Sequence, residues 1–173
     1  MNGKWVVTTA RQEKTRFGVK YSKFAGAVSV EILRVALAGE GIATSSRDVF
    51  VRGVPLEIDV LVPRGGQTPS LGLLYEPDQV AAALEVKNSG SFGEGTLEKV
   101  RRDFGRLREV GIRGAYVTLE ERHGYKWAAS NERLGFPCFT LAWHRQSAGA
   151  FDLTEDWIEL LKFLRQCMVP DRA

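Results

Sequence analysis

Two stretches set ionisable side chains among aliphatic ones: Leu56-Glu57-Ile58-Asp59-Val60-Leu61-Val62 and Ala83-Leu84-Glu85-Val86-Lys87-Asn88. Their aliphatic and β-branched content predicts strands, in which side chains alternate between faces with a period of two. Leu56, Ile58, Val60 and Val62 then share one face, leaving Glu57 and Asp59 on the other. In the second stretch Leu84 and Val86 oppose Glu85 and Lys87. If the strands pair with their polar faces together, Asp59, Glu85 and Lys87 converge on one point. Two carboxylates suit Mg²⁺, which takes one or two of them and completes its shell with water and phosphate oxygens. Such an ion lowers the pKa of a bound water and neutralises charge developing on a phosphate. An ammonium two residues away could orient that water or stabilise the anion. Buried without partners, these charges would cost several kcal/mol, which favours a site that uses both signs.

These strands need a scaffold. Helical spacing of Phe24, Val28, Ile32 and Val35 predicts a first helix over 23–38, closed by Gly39 and Gly41. Strands are expected over 48–52 and 56–62, joined at Gly53-Val54-Pro55, and over 80–87, which is apolar almost throughout and hence central. A second helix over 96–110 carries the stripe Leu97, Val100, Phe104, Leu107 and Val110. A strand over 115–119, a short helix over 125–134, a strand over 137–143 and a helix from Thr154-Glu155 to about Met168 complete the order α-β-β-β-α-β-α-β-α. The expected architecture is α/β, a central mixed sheet of about five strands with helices on both faces. The 173 residues fit a single domain, with residues 1–22 as an N-terminal arm. The Gly- and Pro-rich stretch 63–79 reads as an inserted loop or flap.

Further side chains gather round the three. On the helical wheel Glu31 falls within the expected buried stripe, an unusual place for a carboxylate that has no partner. Glu57 shares the face of Asp59 but, two positions along, points past the site and reads as a solvated or cross-strand charge. Asn88-Ser89 follows Lys87 directly, and short polar side chains with open backbone amides suit phosphate oxygens, although they also make an ordinary turn. The 96–110 helix bears Lys99, Arg101, Arg102, Arg106 and Arg108, either a solvated face or a nucleic-acid surface, with Arg101, Arg102 and Arg108 the candidate contacts.

Asp59, a variable connection and then Glu85-Val86-Lys87 resemble the PD-(D/E)xK nuclease superfamily, the restriction endonuclease-like fold that includes Holliday junction resolvases. The likeness spans residues 23–119 and extends to an uncharacterised bacterial or phage branch. It implies Asp59 and Glu85 as metal ligands, Lys87 as assistant to the nucleophilic water, and Glu31 as the accessory acid of the preceding helix. Ile58 stands where the name of the superfamily has Pro. A literal Pro77-Asp78 lies at the other end of the strand from Glu85, about 20 Å away at roughly 3.3 Å per residue, and reads as a turn.

The implied activity is Mg²⁺-dependent hydrolysis of phosphodiester bonds in DNA, with Mn²⁺ able to substitute, in restriction, phage defence, or DNA repair and recombination. The competing reading is an inactive nuclease-fold protein that binds nucleic acid or another protein. RNA as substrate stays open, and a homodimer is expected by analogy, since a duplex has two strands. Lys+Arg number 24 and Asp+Glu 21, a net charge of +3, compatible with an anionic partner and weak evidence for one. Other chemistries find little support. His123 and His144 have no Cys or His at ligand spacing, and no GxGxxG, GxxxxGK[ST] or GxSxG motif is present. Trp5-Val6-Val7 is too short for a secretory leader and no run is long enough to span a bilayer, so a cytoplasmic location without membrane contact is expected. Cys138 and Cys167, the two cysteines, suggest no disulfide framework.

Overall fold

Val80-Ala81-Ala82-Ala83-Leu84 carries no polar side chain, so the strand it forms must be covered on both faces. The computed structural model, which describes residues 3–16, 22–65, 69–88, 92–122, 134–144 and 151–169, is built around it. Two helices come first, α1 (Gly3–Arg16) and α2 (Ser22–Gly39). Strands β1 (Val49–Val51), β2 (Val54–Ile58), β3 (Val60–Pro63) and β4 (Leu74–Tyr75) follow, and a 3-10 turn at Pro77–Gln79 leads into β5 (Val80–Lys87). Then come α3 (Glu94–Glu109), β6 (Arg113–Thr118), β7 (Glu121–Arg122), β8 (Cys138–Thr140), β9 (Ala142–His144), β10 (Phe151–Leu153) and α4 (Asp156–Met168).

The central sheet has the order β3-β5-β6-β8; β5 is antiparallel to β3 and parallel to β6, which is parallel to β8. One face packs Leu84, Val86, Val60 and Val62 against Val6 and Val7 of α1, Leu33 and Leu37 of α2, and Leu160 and Leu164 of α4. The other packs Ala83, Leu61 and Tyr116 against Leu97, Val100 and Phe104 of α3, with Ile58 and Val49 from a second sheet, β2-β1-β4. A third sheet, β10-β9-β7, completes the described residues. The α/β architecture with helices on both faces is as expected; among the described residues the central sheet has four strands, and its neighbours are separate ribbons.

Four local expectations change. Residues 3–16 are a packed helix, because Val6, Val7 and Ala10 recur on one helical face and are fully or almost fully buried. The stretch 56–62 is two strands broken at Asp59, and the buried face switches there: Ile58 packs on the α3 side, Val60 and Val62 on the α2 side. The 63–79 segment contributes β4, parallel to β1, with residues 66–68 outside the described residues. The 137–143 strand divides at Leu141 into β8 and β9. The short helix expected over 125–134 lies outside the described residues except for Leu134, which is fully buried.

β8 is the outer strand of the central sheet, and open backbone on such an edge invites pairing with another chain. Its Thr140 is closed by side chains. Thr140 N donates to Asp156 Oδ2 at 2.7 Å, and Thr154 Oγ1 donates to Thr140 O at 2.6 Å. Asp156→Ala should therefore cost about 1–2 kcal/mol. It should also promote self-association, read as a lower melting temperature and an earlier elution on size exclusion.

Candidate active site

The break at Asp59 mounts the site. Val60 pairs with Leu84, so Asp59 comes level with the following residues of β5, where Val86 N donates to Asp59 Oδ2 at 2.7 Å. Leu84 and Val86 point into the α2 side, which turns Glu85 and Lys87 to the other face. Lys87 Nζ lies 2.5 Å from Glu85 Oε1 and 3.6 Å from Asp59 Oδ2. The two acids and the amine thus meet, as alternation predicts, around one ammonium.

All three are half-buried, with side-chain exposures of 27% for Asp59, 18% for Glu85 and 34% for Lys87. Burial raises the Asp59 carboxyl above the usual range and the Glu85 carboxylate adds to it, while Lys87 and the Val86 amide oppose. Burial works against the Lys87 ammonium, but Glu85 and then Asp59 outweigh it and hold its pKa above that of a free lysine. Lys87 is therefore a firmly protonated cation, suited to holding negative charge.

Asp59 and Lys87 open into a cleft of about 690 Å³ that Arg47, Asp48, Glu57 and Asn88 also line, with Ala25, Gly26, Ala27 and Val30 of α2 as its wall. Among the described residues no three His, Cys, Asp or Glu group closely enough to hold a metal ion by themselves. Glu57, exposed, lines this cleft and does not point past it. Asn88 stands at its rim and its Oδ1 accepts from buried Ser29 Oγ at 3.3 Å. Ser89 lies outside the described residues.

Glu31 is exposed, and both its oxygens accept from Arg34 Nη1, at 2.8 and 2.7 Å. The buried stripe of α2 is shifted to one side of the expected one: Val30, Leu33 and Leu37 join Ile32 in the core while Val35 is 48% exposed, so Glu31 does not sit in the core. The α3 basic residues separate into groups. Lys99, Arg102 and Arg106 surround Asp103, at 2.8, 3.6 and 3.8 Å. Arg101 donates to Leu134 O and Glu94 Oε1, both at 3.1 Å, and Arg108 lines a different cavity from the cleft.

Arg47 and Asp48 carry no motif or periodicity that singles them out in the sequence. Asp48 sits in the left-handed region at φ 56, which Asp tolerates better than most residues, and Arg47 Nη2 donates to it at 3.0 Å. The Ala25-Gly26-Ala27 run was the available signal for the cleft wall, since small residues on a helix let a groove form beside it; a Cβ at Gly26 would touch nothing within 4 Å.

An α/β chain with a mixed sheet, an acid on the strand break and Glu-x-Lys on the next strand has the restriction endonuclease-like fold. No family model matches the sequence, nor does any curated protein. Among solved structures the chain is similar to NucC of P. aeruginosa ATCC27853 in its cAAA-bound form, at a TM-score of 0.62 and 15% identity, covering 94% of this chain and 87% of that one. NucC of E. coli MS115-1 in its cAAA-bound form gives 0.63 and 13%, over 94% and 86%, and its apo form 0.52 and 15%, over 93% and 88%. At such identities the likeness establishes the fold. No helix among the described residues is long and apolar enough to cross a membrane.

Proposed function

We propose that the chain is a metal-dependent nuclease that hydrolyses phosphodiester bonds in DNA, in restriction, phage defence or DNA repair, with Asp59, Glu85 and Lys87 as its centre. The observation that carries this is the meeting of both carboxylates on the Lys87 ammonium, across a strand pair of a nuclease fold.

The cleft argues for a cation. Asp48, Glu57, Asp59 and Glu85 stand in or beside it against Arg47 and Lys87, so a polyanion approaching Lys87 meets excess negative charge. Asp59 and Glu85 offer hard oxygen donors, which fit Mg²⁺ or Mn²⁺ with the shell completed by water and phosphate. Bound there, the ion would supply a low-pKa water and neutralise charge on the phosphate. Val86 N–H fixes the Asp59 carboxylate in orientation. Lys87, drawn from its acid partners, donates to a non-bridging phosphate oxygen as the water oxygen bonds to phosphorus, giving up a proton to solvent, and the bond to the leaving oxygen breaks, that oxygen taking a proton from solvent. In this reading Asn88, which lines the cleft, contacts the neighbouring phosphate, and Ser89 shares that role.

Supercoiled plasmid should be nicked in Mg²⁺ or Mn²⁺ and left intact in EDTA. A folded chain that cuts none of linear, nicked, branched or single-stranded DNA, nor RNA, with either metal overturns the reading. The other reading, a binding module in which Lys87 merely ties two acids together, draws on the absence of a three-ligand group among the described residues. It forecasts DNA binding with no cutting in the same assay.

A further inference from the structure

Away from the cleft, two adjoining cavities of about 250 Å³ each share Phe104, Arg108, Gly135 and Phe136. One extends to Arg113 and Phe163, the other to Arg101. They lie at the opposite end of the parallel strands from the cleft. Arg113 pairs with Ala82 while Thr118 pairs with Lys87, five residues up the ladder and so about 16 Å away at roughly 3.3 Å per residue.

The walls are aromatic. Phe104 and Phe136 meet edge to face at 5.3 Å, and the Arg113 guanidinium lies 4.8 Å above the Phe163 ring. Gly114 lets Phe104 lie against the strand, since a Cβ there would stand 2.5 Å from the ring. Arg101 is held by Leu134 O and Glu94. Arg108 and Arg113, both exposed, make no hydrogen bond or ion pair among the described residues. Two guanidiniums at the mouth of an aromatic cavity, with no acid among the described residues that line it, describe a recognition site: the rings accept a planar apolar body, and guanidinium matches phosphate or carboxylate.

We propose that this cavity binds a small aromatic anion, its ring against Phe104, Phe136 and Phe163 and its phosphate or carboxylate on Arg108 and Arg113. Two sources share that chemistry, a free nucleotide and an aromatic carboxylic acid. Calorimetric titration of the whole chain with 5′-AMP, benzoate and inorganic phosphate separates them. At least one aromatic anion should bind about tenfold or more tightly than phosphate, and Arg108→Glu should weaken it about tenfold or more with an unchanged melting temperature. Arg113→Gln serves as the second variant and should weaken it in the same direction. Lys87→Ala, which alters the cleft, should leave this binding as it was. Binding by AMP alone assigns a nucleotide, by benzoate alone an aromatic acid, and by both the shared class. The proposal is overturned if neither binds, if phosphate binds as well, if both arginine variants match the parent, or if Lys87→Ala abolishes the binding. Failure here leaves the nuclease reading intact, because plasmid nicking reports on the cleft.

Discussion

Glu85→Ala is expected to abolish divalent-metal-dependent nicking of plasmid DNA, a loss of at least about 10²–10³-fold, while DNA binding persists. Glu85 is the nearer of the two acids to the Lys87 ammonium, 2.5 Å against 3.6 Å for Asp59. Its loss removes half of the carboxylate pair and releases Lys87 to Asp59 alone. Glu85→Gln keeps the shape and removes the charge, so equal losses in the two variants would assign the effect to charge and not to packing. Nicking rates from gel densitometry, set beside a mobility-shift titration, give both quantities. Cutting by folded Glu85→Ala at the parent's rate would sink the assignment.

Leu84→Ala should be the most damaging substitution to stability near the site, about 2–5 kcal/mol. Leu84 is fully buried on the central strand, opposite Val60 on one side and Ala115 on the other. For a chain of this size that corresponds to a fall in melting temperature on the order of 5–15 °C. Because Leu84 is fully buried and does not line the cleft, nicking per folded molecule at low temperature should stay close to the parent's. Leu84→Met, which nearly conserves volume, should cost less than about 1.5 kcal/mol. A melting curve for Leu84→Ala that overlays the parent's would show that this face of β5 is not packed as described.

How much could be read in advance varied with the range of the interaction. Strand alternation is local, so the polar faces of Glu85 and Lys87 and the central position of β5 were legible from neighbours alone. Asp59 was legible as a residue but not as a bend, because the strand's exchange of sheets depends on where α3 and α2 pack, not on the residues 56–62 themselves. The phase of α2 was legible in part for the same reason: Val28 and Ile32 pack on the sheet as their spacing suggests, but that contact also takes in Val30, Leu33 and Leu37 and leaves Val35 exposed. Asp103 could not be foreseen as the hub of Lys99, Arg102 and Arg106, since long basic side chains on a helix surface look alike in sequence. Arg47 and Asp48 escaped notice because a turn brings them to the cleft, with no periodic pattern to announce it.

The residue at the break between β2 and β3 belongs to neither ladder, and this makes the spacing of the chain around it unforgiving. A one-residue insertion or deletion in β3 would reverse which side of the ribbon each side chain occupies and swing the Asp59 carboxylate away from the Val86 amide. Length variation between relatives should therefore collect beyond Pro63, in the loop ahead of β4, and leave the few positions from the break to that loop unchanged in number.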